Sequence, residues 1–301
     1  MRKHLILAFS LYTPLHCMEQ PLITHKSDRE PREWDARAYD NGCIVQTAAF
    51  LHFLTTNKIN FNKELDVLDA GCGTAKITSQ LAPLVRSIHA FDASKNMVDV
   101  AHEKFGHIKN LSFEHCFAED FTSPKKYHRA LMSFCFHWIK DKKLALQKIS
   151  DCLENDGEFF ATIVTQNNPV PIELIAADEA LSSCDGIYQF VTGKKLIDLT
   201  GSSYPSNEEL TTMLSDAGFS IIKQEEQTFT CPVSEEEVRL GMLPIVTNTP
   251  LMKLIPNFVF QSFFDYYINI FLSKLPKTND GKYIETIAQT IVHARKVKNN
   301  S

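Results

Sequence analysis

The sequence predicts a doubly wound α/β domain on a mostly parallel sheet, and three observations predict it. From about Leu65 to Val164, short apolar runs alternate with stretches of helical periodicity, the pattern of parallel strands joined by crossover helices. The first run ends in a glycine-rich turn, Asp69-Ala70-Gly71-Cys72-Gly73-Thr74-Ala75, and glycine lets backbone approach a ligand closely in front of the next helix. The second run ends in an acid, Asp92, 23 residues after Asp69.

Four segments follow from the N-terminus. Residues 1–33 are a lead-in: Met1-Arg2-Lys3-His4 is basic, Leu5 to Leu15 is largely apolar, and 18–33 is polar. The start resembles an export signal. Pro14, the lack of a small-x-small cleavage site and Met18 as an alternative start argue against export. The apolar stretch is too short to span a bilayer. A cytoplasmic protein without stable membrane insertion is expected, with secretion as the alternative. Residues 34–64 are expected to be helical, because Ile44, Ala48, Leu51 and Leu54 fall near one face.

Residues 65–164 form the expected core. Strands are predicted over Leu65–Asp69, Ser87–Asp92, Leu111–Phe117, Arg129–Cys135 and Glu158–Val164. Helices are predicted from Lys76 to Val85, limited by Pro83, from a Ser94 cap to Phe105, and from an Asp141 cap to Leu153. Asn155-Asp156-Gly157 reads as a turn.

Residues 165–301 are expected to supply a cap and the last strands. The rhythm is lost over 165–205, around Pro169, Pro171 and Pro205. Ser206 and Glu209 then form a capping box for a helix ending at Gly218. Phe219 to Phe229 reads as a strand, 232–282 as helical and aromatic-rich, and Tyr283 to Lys296 as a β-branched strand.

Composition narrows the function. With 31 basic against 36 acidic side chains, the net charge of −5 lacks the basic excess of a phosphate-tracking protein, so no nucleic-acid partner is expected. The eight cysteines at 17, 43, 72, 116, 135, 152, 184 and 231 contain no CxxC pair, and no Cys/His cluster has zinc spacing. Reduced thiols and no metal are expected.

The Asp69 turn has Lys76 where a dinucleotide fingerprint needs its last glycine. Read by itself, a lone GxG turn also fits simple packing of helix on strand. The Asp-x-Gly-x-Gly-x-Ala pattern resembles motif I of class I S-adenosylmethionine-dependent methyltransferases. Asp92-Ala93-Ser94 with Met97 resembles that family's segment after the second strand, where the acid meets ribose hydroxyls. The resemblance implies a Rossmann-like, seven-stranded, mostly parallel sheet with a helical cap, and S-adenosylmethionine as cofactor. It places Asp69, Gly71 and Gly73 around the methionine moiety, Asp92 at the ribose and the Ala118 amide at adenine. Ser133, at the end of the fourth strand, joins this set. Where the family has an acid for adenine, this chain has Phe117, followed by Ala118 and Glu119. Phe117 then packs on the adenine or belongs to the core.

The segment Ser133-Phe134-Cys135-Phe136-His137-Trp138-Ile139-Lys140-Asp141 follows the fourth strand, and ligands of open α/β sheets sit at such strand ends. It resembles methyltransferases that esterify small carboxylic acids: juvenile hormone acid, trans-aconitate and malonyl-carrier-protein methyltransferases. Tyr39 with Gln46 seven residues on, and the ending Ala294-Arg295-Lys296, extend the likeness. A carboxylate is ionised at neutral pH and needs no general base. Trp138 and Gln46 are fitting donors to hold it, because neither competes as a base. His137 is expected to position or pack. The acceptor is then a small or acyl-chain carboxylic acid, and Arg239 as the lone arginine of the expected cap disfavours a polyacid. Two alternatives stand: a hydroxyl or amine methyltransferase using His137 as base, and a non-catalytic cofactor-binding module.

Overall fold

The computed structural model describes residues 34–182, 203–247 and 257–298. The expectations for the 1–33 lead-in, and for 183–202 and 248–256 within the expected cap, lie outside those residues.

Seven strands form one sheet in the order β3-β2-β1-β4-β5-β7-β6. They are β1 (Asp66–Ala70), β2 (Ser87–Asp92), β3 (Leu111–His115), β4 (Tyr127–Ser133), β5 (Leu153–Ile163), β6 (Phe219–Val233) and β7 (Tyr283–Lys296). All pairs are parallel except β5–β7 and β6–β7, so the mostly parallel, seven-stranded sheet is confirmed. All five residues of β1 are buried, as a central strand covered on both faces requires. The strand order reverses beside β1, which pairs with both β2 and β4. A crevice opens at the carboxyl ends of such strands.

The helices are α1 (Ala36–Gly42), α2 (Ile44–Thr56), α3 (Lys76–Leu81), α4 (Lys95–Phe105), α5 (Lys142–Cys152), α6 (Ile172–Ser182), α7 (Asn207–Asp216), α8 (Glu235–Thr247) and α9 (Asn257–Lys274). Their caps follow the sequence. Ser94 Oγ accepts from Met97 N–H, and Asp141 Oδ1 accepts from Leu144 N–H. Ser206 and Glu209 make the reciprocal capping box before α7. Pro83 ends α3 in a 3₁₀ turn, Ala82–Leu84.

Four expectations are corrected. The helical stretch expected within 34–64 breaks at Cys43, whose ψ is 38°. The break lets α1 lie on α8 while α2 lies on β6 and β7. The inward face of α2 carries Val45, Ala49, Phe50, Phe53 and Leu54 rather than Ile44, Ala48 and Leu51. Two apolar stripes run side by side there, and the one holding two phenylalanines buries more area. The turn expected at Asn155-Asp156-Gly157 is a bulge within β5: pairing jumps from Tyr127↔Leu153 to Arg129↔Glu158, with Asp156 at φ +63°. Finally, β3 stops at His115 and β4 at Ser133, so Phe117 and Cys135 lie in loops. Parallel pairing ends where the partner turns away, and β2 leaves the sheet at Asp92.

One core cluster joins β1, β4 and β5 to α5 and α7, and another joins α2 and α3 to the opposite face. A third joins α6, α8 and α9, with Val233 at the end of β6.

Candidate active site

The loops that follow β1, β2, β3 and β4 surround a cleft of about 540 Å³ at the strand-order reversal, within the roughly 300–1,000 Å³ of small-molecule sites. Its floor is the glycine turn. Gly71 and Cys72 donate their N–H groups to Phe91 O, at 2.9 and 3.0 Å, which ties the turn to β2. Gly71, Gly73 and Ala75 have φ of +76°, +56° and +63°. The first two suit glycine. Ala75 is fully buried and holds a left-handed conformation at a cost of about 1–2 kcal/mol.

Asp92 binds this turn to the next. Its Oδ2 accepts from Gly73 N–H and its Oδ1 from Ser94 N–H, both at 2.9 Å. A carboxylate has about four acceptor positions, so this one fixes the cleft wall and still has capacity for a ligand hydroxyl.

Asp69 is nearly fully buried and accepts a hydrogen bond from Thr78 Oγ1. Burial pushes its pKa up to about 6, against the Thr78 bond and aided by the charge of Asp92. It faces a small hollow of about 40 Å³ behind the glycine turn, shared with Tyr39, Gln46, Gly71, Gly73 and Ser133. Tyr39, the two glycines and Ser133 line both hollow and cleft. Burial, reinforced by the Asp92 charge, raises the thiol pKa of Cys72 and Cys135 well above the ordinary value. Both thiols are thereby disfavoured as thiolates.

The expected residues therefore fall into two groups. Asp92, Ala118, Ser133, His137 and Trp138 line the cleft with Gly71 and Gly73. Gln46 and Asp69 line the hollow instead, so Gln46 does not share the cleft with Trp138.

A 3₁₀ turn, Phe136–Trp138, carries His137 and Trp138. The His137 ring stacks on Tyr204 at 5.4 Å between centroids, and Ser203 N–H donates to His137 O at 2.9 Å. Trp34 meets both Trp138 and Tyr39 edge-on at 5.5 Å, so an aromatic wall rises beside the cleft.

Several supports escaped the sequence reading. Glu119 Oε1 accepts from the N–H groups of Lys140 and Asp141 at 3.2 Å, fastening the loop beyond Trp138. The buried Lys142 donates to Ile139 O at 2.6 Å, and burial pushes its pKa down to about 8. Phe134, beside Ser133, is held at φ +50°. Asp40 on α1 is buried, accepts from Thr74 Oγ1 at 2.7 Å and pairs with Lys104, while its carbonyl accepts from Lys76 Nζ. Burial opposes the ionisation of Asp40, but these hydrogen bonds and charges prevail and hold its carboxyl below the ordinary value. Asp40 thereby ties α1, and with it Tyr39, to the segment that follows the glycine turn. Of these supports, only Glu119 stood in a segment the sequence singled out, and its partners were not visible there.

A family model for a methyltransferase domain matches residues 67–157. Malonyl-[acyl-carrier protein] O-methyltransferase 1 of Ilyobacter polytropus is 27% identical over 199 residues, 63% of this chain and 69% of that protein. A protein of Invertebrate iridescent virus 6, named as a methyltransferase, is 27% identical over 139 residues, 45% of this chain and 51% of its own. The chain spans about half the length of several curated relatives it matches. The solved structure of phosphoethanolamine N-methyltransferase 2 from Haemonchus contortus, with phosphomonomethylethanolamine and S-adenosylhomocysteine, superposes with a TM-score of 0.53 at 17% identity. That match covers 87% of this chain and 57% of the other, a likeness of fold.

Proposed function

With residues 67–157 matching the model of a methyltransferase domain, we propose that this chain is an S-adenosylmethionine-dependent methyltransferase that esterifies the carboxylate of a small or acyl-chain acid. The observation that carries the reading is one cleft lined both by the Asp92-braced glycine turn and by Trp138. On this reading a donor site and an acceptor site open onto each other.

The residues fit the donor. Asp92 has acceptor capacity for ribose hydroxyls, and Gly71 and Gly73 keep the turn free of side chains. Asp92 and Glu119 leave the cleft wall net negative against Lys140, which suits a cationic donor. Asp69 and Gln46 in the hollow, with Ser133 at the rim, hold the methionine end. When bound, S-adenosylmethionine supplies an electrophilic methyl on a sulfonium sulfur.

The chain's own work is positioning and drying. The Trp138 indole N–H holds one carboxylate oxygen and leaves the other to attack. Near-attack alignment contributes about 7–11 kcal/mol. Trp34, Trp138 and Tyr39 exclude water, and charge is neutralised as the ester forms, so a dry wall favours reaction. A single lysine at the cleft favours one carboxylate on an apolar body. The names of relatives such as the Ilyobacter enzyme support an acyl acid. Gln46 acts from the donor side. We assign the reaction to the cytoplasm, in keeping with the unpaired thiols of all six described cysteines. No helix among the described residues is long and apolar enough to cross a membrane.

Turnover of methyl-labelled donor against monocarboxylic acids of graded chain length, alongside alcohols and amines, tests this. Ester product from an acid is expected. Label appearing only in ethers or amines would transfer the role of base to His137 and overturn acid esterification.

A further inference from the structure

The donor reading also bears on how the base of the cofactor is recognised. The strand beside β2 is β3, and on the donor reading a base attached to a ribose at Asp92 would face its end. Two contacts lock the β3 end to the β2 end: Cys116 N–H donates to Asp92 O, and His115 Nε2 lies 3.0 Å from Ala93 O. The half-buried Phe117 ring lines this part of the cleft. Asp120 N–H donates to Phe117 O at 3.0 Å, closing a turn that presents Phe117 and Ala118 together.

Of the two carboxylates lining the cleft, Asp92 is the one assigned to the ribose, and the buried Glu119 is turned onto the Lys140 and Asp141 N–H groups. Asp69 faces the hollow. At position 117 itself the cleft presents an aromatic ring and no acceptor.

We propose that Phe117 is the specificity-determining residue for the cofactor base, and that it selects a flat purine by packing without reading the exocyclic 6-amino group. The inference rests on the donor reading above. A carboxylate at 117 rejects a purine lacking the amine, because its acceptor is left unpaired, at roughly ten- to hundredfold in affinity. A phenyl ring packs on either purine alike.

The test is calorimetric titration of the full chain with S-adenosylhomocysteine and with its 6-deamino purine analogue, which keeps all four ring nitrogens. The native chain is expected to bind the two within about threefold, and Phe117→Asp to prefer the adenosyl form at least tenfold. Phe117→Leu, which keeps an apolar side chain, is expected to weaken both ligands in parallel. A native preference above threefold, a folded Phe117→Asp that gains none, or a Phe117→Leu that binds both as before overturns the role of Phe117. Failure of the native chain to bind either ligand overturns the donor reading, and this inference with it.

Discussion

Gly42 and Gly241 meet backbone to backbone: a Cβ on Gly42 would stand 2.2 Å from Gly241 Cα. Helix α1, which carries Tyr39 to the cleft and Asp40 to Thr74, is thereby seated on α8. An alanine inside a helix ordinarily stabilises by about 0.5–1 kcal/mol relative to glycine. Here Gly42→Ala must push two helices apart. We expect it to destabilise by about 1–3 kcal/mol and to weaken S-adenosylhomocysteine binding. Urea unfolding and calorimetry read the two effects, and a stabilised variant with native affinity would refute this role for α1.

A second contact involves Gly71. A Cβ there would lie 2.4 Å from Cys135 Sγ and 2.8 Å from Cys135 Cβ, at a φ of +76°. Gly71→Ala should lose donor affinity by at least about tenfold, a loss of roughly 1.4 kcal/mol. Adding Cys135→Gly removes the clash and should restore part of it. The remaining deficit reflects left-handed strain of about 1–2 kcal/mol. A double variant no better than the single one would show that the crowding is irrelevant.

Asp69 predicts a trade between stability and binding. Its folded pKa, about 6, lies above the ordinary 3.8. The folded state therefore holds the proton more tightly, and native stability falls as pH rises from about 4 to 6. Above that window the buried charge costs up to about 3 kcal/mol. Asp69→Asn should raise the unfolding midpoint at pH 8, with the gain vanishing near pH 4, while donor binding weakens. Equal gains at both pH values would show that ionisation of Asp69 is not the cause.

Trp138 and His137 separate the chemistries. For a carboxylate acceptor, Trp138→Phe removes the indole donor and keeps most of the packing. The lost hydrogen bond, about 1.5–3 kcal/mol, lowers turnover roughly tenfold to a hundredfold. His137→Gln should retain most of the turnover. If His137 were a general base, its replacement would cost roughly a hundredfold or more, and the native pH–rate profile would show a limb near the histidine pKa. That reversed ranking would favour a hydroxyl or amine acceptor.

The parts of this molecule that depend on neighbours in sequence are legible in the sequence. The Ser94, Asp141 and Ser206 caps bond backbone three residues away, so short-range spacing determines them. The strand alternation, the glycine turn and the acid ending β2 likewise placed a cleft at the strand ends, because a parallel sheet with crossover helices leaves few alternatives. Tertiary structure decided what spacing leaves degenerate. It chose between adjacent apolar stripes on α2, stopped β3 at His115 and converted the 155–157 turn into a bulge. It put Gln46 in the hollow rather than beside Trp138, and it engaged Glu119 and Asp40 with partners 21 to 64 residues away. The reason is physical: a cap or a turn is a contact along the chain, whereas the side of a loop on which a side chain lies is set by whatever the fold brings against it.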